Sequence, residues 1–237
     1  MGKSRKSHCI EDLKRRILTE SLAPGAYLDE TILSEEYEIS RPPLREILSQ
    51  LAGEGYVVLN ERRGTQVAPM THRTMRNFFM AAPMIYAAIS RLAALHATRA
   101  QIMQLKDTQL LFRAAIRDGD TAERAIKNER FHAIIGDMAA NEYLTPSLRR
   151  LLIDHTRIGM TFYESNNPRT AEQRRVAADQ HDQFIELIEA GDADGAAGLA
   201  IEHWELSRSE MESFVTPPGM DIPLGPVRDE TGKKGTQ

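Results

Sequence analysis

Three histidines and an asparagine in the second half of the chain have the spacing of a metal site. Asn128 and His132 lie four residues apart on one predicted helix, so they share a face. His181 and His203 lie at nearly equal distances on either side of the Gly191-Asp192 break, which places them at one level of an antiparallel helix pair. Three imidazoles and one amide oxygen would suit a borderline divalent metal such as Zn²⁺ or Ni²⁺, with positions left for water or a ligand.

A second interpretation of these histidines stays open at this point. A single histidine in a helical bundle usually caps a helix, forms a structural hydrogen bond or faces solvent. We expect this of His96 and His155, and it is the alternative for the three histidines above.

A second set of residues could contact DNA. Arg41 and Arg45 lie one turn apart at the start of a predicted helix, so they point in the same direction. The arginine fork can donate to guanine O6 and N7 together, and a helix N-terminus that begins at Ser40 suits a phosphate. The alternative is a solvated helix face. A basic hairpin tip that follows could reach phosphates or the minor groove: Arg62, Arg63, Gly64 and Thr65.

The elements that must position these arginines follow the order of a winged helix-turn-helix. Hydrophobic periodicity predicts three helices and then two short strands, over residues 9–21, 30–37, 41–54, 56–59 and 65–67. Ser40 is the expected N-cap of the third helix, and proline at Pro42 is tolerated because it lies in the first turn. We therefore expect a DNA-binding domain with a small β-hairpin wing over residues 8–69.

The rest of the chain is predicted to be helical almost throughout. Breaks are expected at 118–120, 141–146, 166–168 and 191–192, and we expect an antiparallel all-α bundle of about six helices over residues 74–214. Pro83 would kink or restart the first of these helices. The Pro/Gly-rich, charged segment 215–237 is predicted to be a disordered tail. The fold class is therefore mainly α.

Composition excludes several classes of protein. The chain has 237 residues and a net charge of −4, so an argument for DNA binding depends on where the arginines lie. It has no run of 18 apolar residues, and we therefore expect no membrane partner. The single cysteine, Cys9, excludes a disulfide framework and fits a reducing cytoplasm.

Motifs along the first domain are more specific than the order of its elements. They read Ser40-Arg41-Pro42-Pro43-Leu44-Arg45-Glu46, Glu54-Gly55-Tyr56 and Arg62-Arg63-Gly64-Thr65-Gln66-Val67. With these motifs, residues 10–67 resemble the DNA-binding domain of GntR-family regulators. Pro42 stands where that family usually has threonine, so one hydroxyl contact to DNA is lost.

Motifs in the helical half carry a second resemblance. They read Asn128-Glu129-Arg130-Phe131-His132, Gln180-His181 and Gly191-Asp192, followed by His203. Residues 75–213 are similar to the FCD domain of one GntR subgroup, and that resemblance implies a metal held by one aspartate and three histidines. It also implies an effector, commonly a small carboxylate, that completes the coordination.

The chain departs from the FCD pattern at two places. Asn128 replaces the usual aspartate and brings an oxygen without a charge. The Arg-x-x-Leu-Glu motif of the first helix is missing, and residues 82–86 stand in its place. Arg157, on the helix that leads to Tyr163, is the best substitute cation for a carboxylate effector, and a plain surface arginine is the alternative.

These observations predict a ligand-responsive regulator, a repressor of a catabolic or transport operon. A homodimer would present two reading helices to a pseudo-palindromic operator. One alternative is a regulator whose metal site is purely structural. Another is a metal-dependent hydrolase fused to a DNA-binding domain, which the absence of a carboxylate at general-base spacing disfavours, so we expect no enzymatic activity.

Overall fold

The computed structural model of the protein describes residues 4–60, 62–163 and 168–215. In this part the chain is mainly α, with nine helices and one three-stranded antiparallel sheet, which confirms the predicted fold class. Residues 216–237, most of the segment predicted to be a disordered tail, lie outside the described residues.

The N-terminal part folds as predicted into three helices and a wing. The helices are α1 (Arg5–Leu18), α2 (Glu30–Glu36) and α3 (Arg41–Glu54). Ser40 occupies the N-cap position of α3 with extended backbone angles, but its hydroxyl makes no capping bond. At the other end, Gly55 closes α3 with a φ of 92°, a left-handed conformation that glycine adopts without strain.

The wing contains a strand that the periodicity did not predict. The sheet order is β1 (Tyr27–Leu28), β3 (Gly64–Val67) and β2 (Val57–Asn60), and all pairs are antiparallel. Tyr27 pairs with Gln66, and Leu59 pairs with Thr65. A two-residue strand is too short to show an alternating pattern, so only its pairing with β3 reveals it.

The second half contains six helices, as predicted. They are α4 (His72–His96), α5 (Arg99–Asp118), α6 (Thr121–Met138), α7 (Leu144–Tyr163), α8 (Pro168–Ala190) and α9 (Ala193–Val215). The sequence did not predict the break between α4 and α5, where Thr98 and Gln101 form a capping box. Helix α4 does not restart at Pro83, because it is one helix from His72 to His96.

The structure contains two separate hydrophobic cores. One is made by α1–α3 and the wing, the other by the six later helices. Ile153 of α7 belongs to the first core, so the bundle packs directly against the DNA-binding part. Among the described residues, α4 alone is long and apolar enough to cross a membrane, yet one of its faces lies in the bundle core.

Candidate nucleic-acid interface and metal centre

The three histidines predicted to converge do so inside the bundle. Helices α6, α8 and α9 supply His132, His181 and His203, and their ring centres lie 5.0 to 5.3 Å apart. Each offers one nitrogen within 4.8 Å of the other two. The antiparallel register of α8 and α9 about Gly191 is therefore the register predicted from the spacing.

Burial keeps these imidazoles neutral. All three side chains are buried, and desolvation lowers the pKa of His203 to about 3. The pKa values of His132 and His181 also fall well below the ordinary value, because of burial and then because of the other histidines. Neutral imidazoles offer lone pairs at neutral pH, so a metal ion would not have to displace protons.

Two glutamines orient the rings of the cluster. The Oε1 atom of Gln109 lies 3.1 Å from Nδ1 of His181, and that of Gln180 lies 2.8 Å from Nδ1 of His203. An amide oxygen only accepts hydrogen bonds, so each Nδ1 donates and each Nε2 keeps its lone pair. Metal-binding histidines are commonly held in this way. Gln109 could not be identified from the sequence, because a glutamine inside a helix gives no signal of its partner.

Two buried imidazole nitrogens without hydrogen-bond partners indicate whether a metal ion fits this cluster. The Nε2 atoms of His132 and His181 are buried and have no hydrogen-bond partner among the described residues. An orphaned buried acceptor is costly, and a metal ion would satisfy both at once. The donor set therefore fits a borderline divalent metal, which the three histidines would hold.

The surroundings of this cluster lack the aspartate of the FCD pattern, as the sequence predicts. Asn128 is buried one turn before His132 on α6, as its spacing predicts. It carries an amide where the FCD pattern has an aspartate, and Gln180, directly before His181, carries another amide. These two side chains are neutral, so a bound divalent ion would keep its charge unless a further ligand neutralised it.

A fourth histidine lies beside the cluster, since the ring centres of His155 and His132 are 6.0 Å apart. His155 of α7 is buried, and its Nδ1 lies 2.6 Å from the hydroxyl of Tyr86, which is the kind of structural hydrogen bond expected of it. Burial lowers the pKa of His155 to about 4 and raises that of Tyr86. His96 also makes a structural bond, 3.2 Å from the Ala139 carbonyl.

A small cavity adjoins the histidines. It is lined by Tyr86, Ser90, His132, His155, Phe184, Ala200, His203 and Trp204. Its volume is ≈ 10 Å³, which is room for about one water molecule. The space must therefore widen before it can admit an organic ligand.

The structure places Arg157 elsewhere than the sequence analysis expected. Its side chain is 0% exposed, so it is not a surface arginine. It donates to the Ala68 carbonyl at 2.6 Å and forms an ion pair with Asp154. It does not line the cavity, and the expected effector role finds no support in these contacts. The side chain of Tyr163 lies outside the described residues.

The residues expected to read DNA lie at the exposed start of α3. Ser40, Arg41 and Arg45 are all exposed, and the two arginines emerge one turn apart. Because the hydroxyl of Ser40 makes no capping bond, it is available to a phosphate. A helix N-terminus with free donors and two arginines has the chemistry of a major-groove reader.

The wing agrees with expectation except at one residue. Arg62, Arg63 and Gly64 are exposed, and Gly64 has a φ of 78° with open space around it. Thr65 is 3% exposed, because it faces inward between its neighbours on β1 and β2. The structure therefore buries the side chain of Thr65 in the wing, and a DNA contact at this residue stays a prediction.

A winged helix-turn-helix joined to an all-helical domain defines a class of protein, the DNA-binding regulators with a helical C-terminal domain. Residues 5–67 match the family model "Bacterial regulatory proteins, gntR family", and residues 83–206 match the FCD domain. The chain belongs to the GntR family, in the subgroup with an FCD domain. It is a DNA-binding transcriptional regulator and not an enzyme.

Relatives and solved structures agree with this membership. The chain is 25% identical over 198 residues to the HTH-type transcriptional repressor RspR of Escherichia coli K12, covering 83% of this chain and 85% of that protein. It is 24% identical to the Nta operon transcriptional regulator of Aminobacter aminovorans, covering 76% and 81%. The structure of E. coli McbR/YncC shares the fold, with a TM-score of 0.75, 19% identity and coverage of 91% and 100%.

Proposed function

We propose that the protein is a cytoplasmic, homodimeric repressor of a catabolic or transport operon, whose effector binds in the FCD domain beside a metal. The observation that carries this proposal is the cluster of three buried, neutral histidines next to a cavity, in the domain that packs against the DNA-reading head. A ligand that binds one arrangement of the two domains better than another would change operator occupancy.

A small carboxylate is the effector class that this site favours. Asn128 and Gln180, which stand beside the histidines in the sequence motifs, have neutral side chains. Zn²⁺ or Ni²⁺ held by the histidines would therefore attract an anion. A carboxylate oxygen is a suitable ligand for such a metal. Its entry would widen a cavity that now has room for about one water, and would separate Tyr86 from His155.

A purely structural metal is the second candidate, because the orphaned imidazole nitrogens explain a metal without any effector. Thermal unfolding of the zinc-loaded protein against a panel of small carboxylic acids distinguishes the two. An effector that binds the folded state at 100 times its Kd adds about 2.7 kcal/mol of stability. A flat response to every acid would favour the structural role.

The DNA-reading role of α3 is tested by replacing Arg45 with alanine. We expect affinity for DNA selected from a random library by the wild-type protein to fall about 5- to 150-fold, since one bidentate arginine–guanine contact contributes about 1–3 kcal/mol. Fluorescence anisotropy at fixed salt measures the change. The control is Arg99→Ala, which removes the same charge from the exposed start of α5. Equal affinity of the Arg45 variant and wild type would remove Arg45 from the interface.

The homodimer is tested on the outer face of α4. Met80 and Met84 lie one turn apart and are 66% and 67% exposed, so together they form an apolar patch on this face. We expect Met84→Glu to convert the dimer to a monomer in analytical ultracentrifugation, because a symmetric contact would bury two charges. The control is Leu110→Glu at an equally exposed position on α5. A dimer that survives Met84→Glu would place its interface elsewhere.

A further inference from the structure

The first turn of α2 contacts both of the arginines that start α3. Nε of Arg45 lies 2.9 Å from Oε2 of Glu30, and Nη2 of Arg41 donates to Oγ1 of Thr31 at 3.1 Å. Glu30 and Thr31 are consecutive residues, so one short stretch of chain holds both side chains.

The backbone of that stretch is itself fixed by a cap. The carboxylate of Asp29 accepts from the backbone N–H groups of Thr31 at 2.7 Å and Ile32 at 3.2 Å. These bonds lower the pKa of Asp29, so the cap is charged at neutral pH. Glu30 and Thr31 therefore project from a defined helix end.

The contact to Glu30 leaves the two Nη groups of Arg45 free to contact DNA. Its Nε is engaged, and its two Nη groups remain available as a parallel pair of donors. Arg45 is 66% exposed, and a long exposed side chain of this kind otherwise loses rotamer entropy when it binds. Because Glu30 already holds Nε before DNA binds, the loss of rotamer entropy is smaller and the direction of the two Nη groups is restricted.

We propose that Glu30 and Thr31 are positioning residues that set the base specificity of Arg45 and Arg41. The inference rests on the proposed DNA contacts of those two arginines. Glu30 places a carboxylate beside the DNA-facing surface, where it repels phosphates. It therefore lowers affinity for all DNA and raises discrimination at the base that Arg45 reads.

This arrangement predicts opposite changes in two affinities for Glu30→Gln. Affinity for random duplex DNA should rise, because a negative charge is removed near the phosphates. Discrimination between a duplex selected by the wild type and the same duplex with the recognised guanine replaced should fall, by at most the roughly 5- to 150-fold that one complete bidentate contact supplies. Glu30→Asp keeps the negative charge, but its shorter side chain does not reach Arg45. This variant should therefore lose discrimination without gaining affinity for random duplex DNA.

The experiment measures Kd for the selected, the guanine-substituted and the random duplexes by anisotropy at two salt concentrations. The matched control is Glu35→Gln, which removes an exposed charge from the same helix without touching either arginine. Thr31→Val tests Arg41 in the same way at its own base. Circular dichroism melting shows that each variant remains folded.

The outcomes separate this inference from the proposed function. Loss of discrimination in Glu30→Gln but not in Glu35→Gln supports it. If Glu30→Gln discriminates as well as wild type, or if both variants lose discrimination equally, the positioning role is overturned while DNA reading stands. If the wild-type protein selects no sequence from the library, both proposals fall.

Discussion

Replacing His132 by alanine is expected to remove tight Zn²⁺ or Ni²⁺ binding from the protein. His132 supplies a buried Nε2 with no hydrogen-bond partner among the described residues, and it is one of the three histidines whose ligand nitrogens lie within 4.8 Å of one another. Its loss leaves two imidazoles, too few for a stable site with these neutral surroundings. We expect the metal Kd to rise by more than the roughly 10- to 100-fold that loss of an outer partner causes.

The measurement is competition with a chromophoric chelator, together with the metal content of the purified protein by mass spectrometry. Gln109→Leu provides a graded comparison, because it keeps all three histidines but removes the acceptor that orients His181, together with the Gln109 bonds to Ala178 and Asp182. It should raise Kd about 10- to 100-fold. The control is His96→Ala, since His96 bonds to Ala139 and does not belong to the cluster. Full metal occupancy in the His132 variant would refute this site.

The metal-site histidines could be predicted because helical spacing determines which residues share a level. The turn at Gly191 fixes the register of α8 against α9, and four-residue spacing fixes the face of α6. Gln109 and Tyr86 could not be predicted in this way. Their roles depend on which helices become neighbours, and one sequence carries no information on the packing of α5 against α8 or of α4 against α7.

The position of His155 at the cavity could not be predicted from residue spacing in the sequence. It lies beside two buried charged residues on α7, and nothing local distinguishes it from a structural histidine. It becomes part of the cavity wall only because α4 brings Tyr86 to it. The same holds for Thr65, whose inward orientation is set by β1, a strand that only pairing reveals.

One segment of α7 connects the cavity to the DNA-binding part formed by α1–α3 and the wing. His155 faces the cavity, whereas Ile153 packs in the core of the DNA-binding part. Arg150 lies against Gly55 so closely that a Cβ there would come within 2.5 Å of its Cδ. A movement of this segment on effector binding would therefore displace the C-terminal end of α3.

Arg157 is the residue whose loss should affect stability most. Its guanidinium is fully buried and joins Asp154 of its own helix to the Ala68 carbonyl, just beyond β3. Removing one partner of a buried ion pair leaves a charge without compensation, which costs about 3–5 kcal/mol. Arg150 also pairs with Asp154 at 2.8 Å, but its side chain is 41% exposed and compensates only in part.

We therefore expect Arg157→Leu to lower the free energy of unfolding by about 3–5 kcal/mol at neutral pH, measured by urea denaturation. The matched control is Arg149→Leu on the same helix, whose ion pair with Asp137 is exposed and should contribute less than about 1 kcal/mol. The double variant Arg157→Leu/Asp154→Leu should regain part of the loss, because the stranded carboxylate is removed. Equal effects of the two single arginine variants would show that Arg157 does not hold the domains together, and that the junction depends on the apolar contact of Ile153 instead.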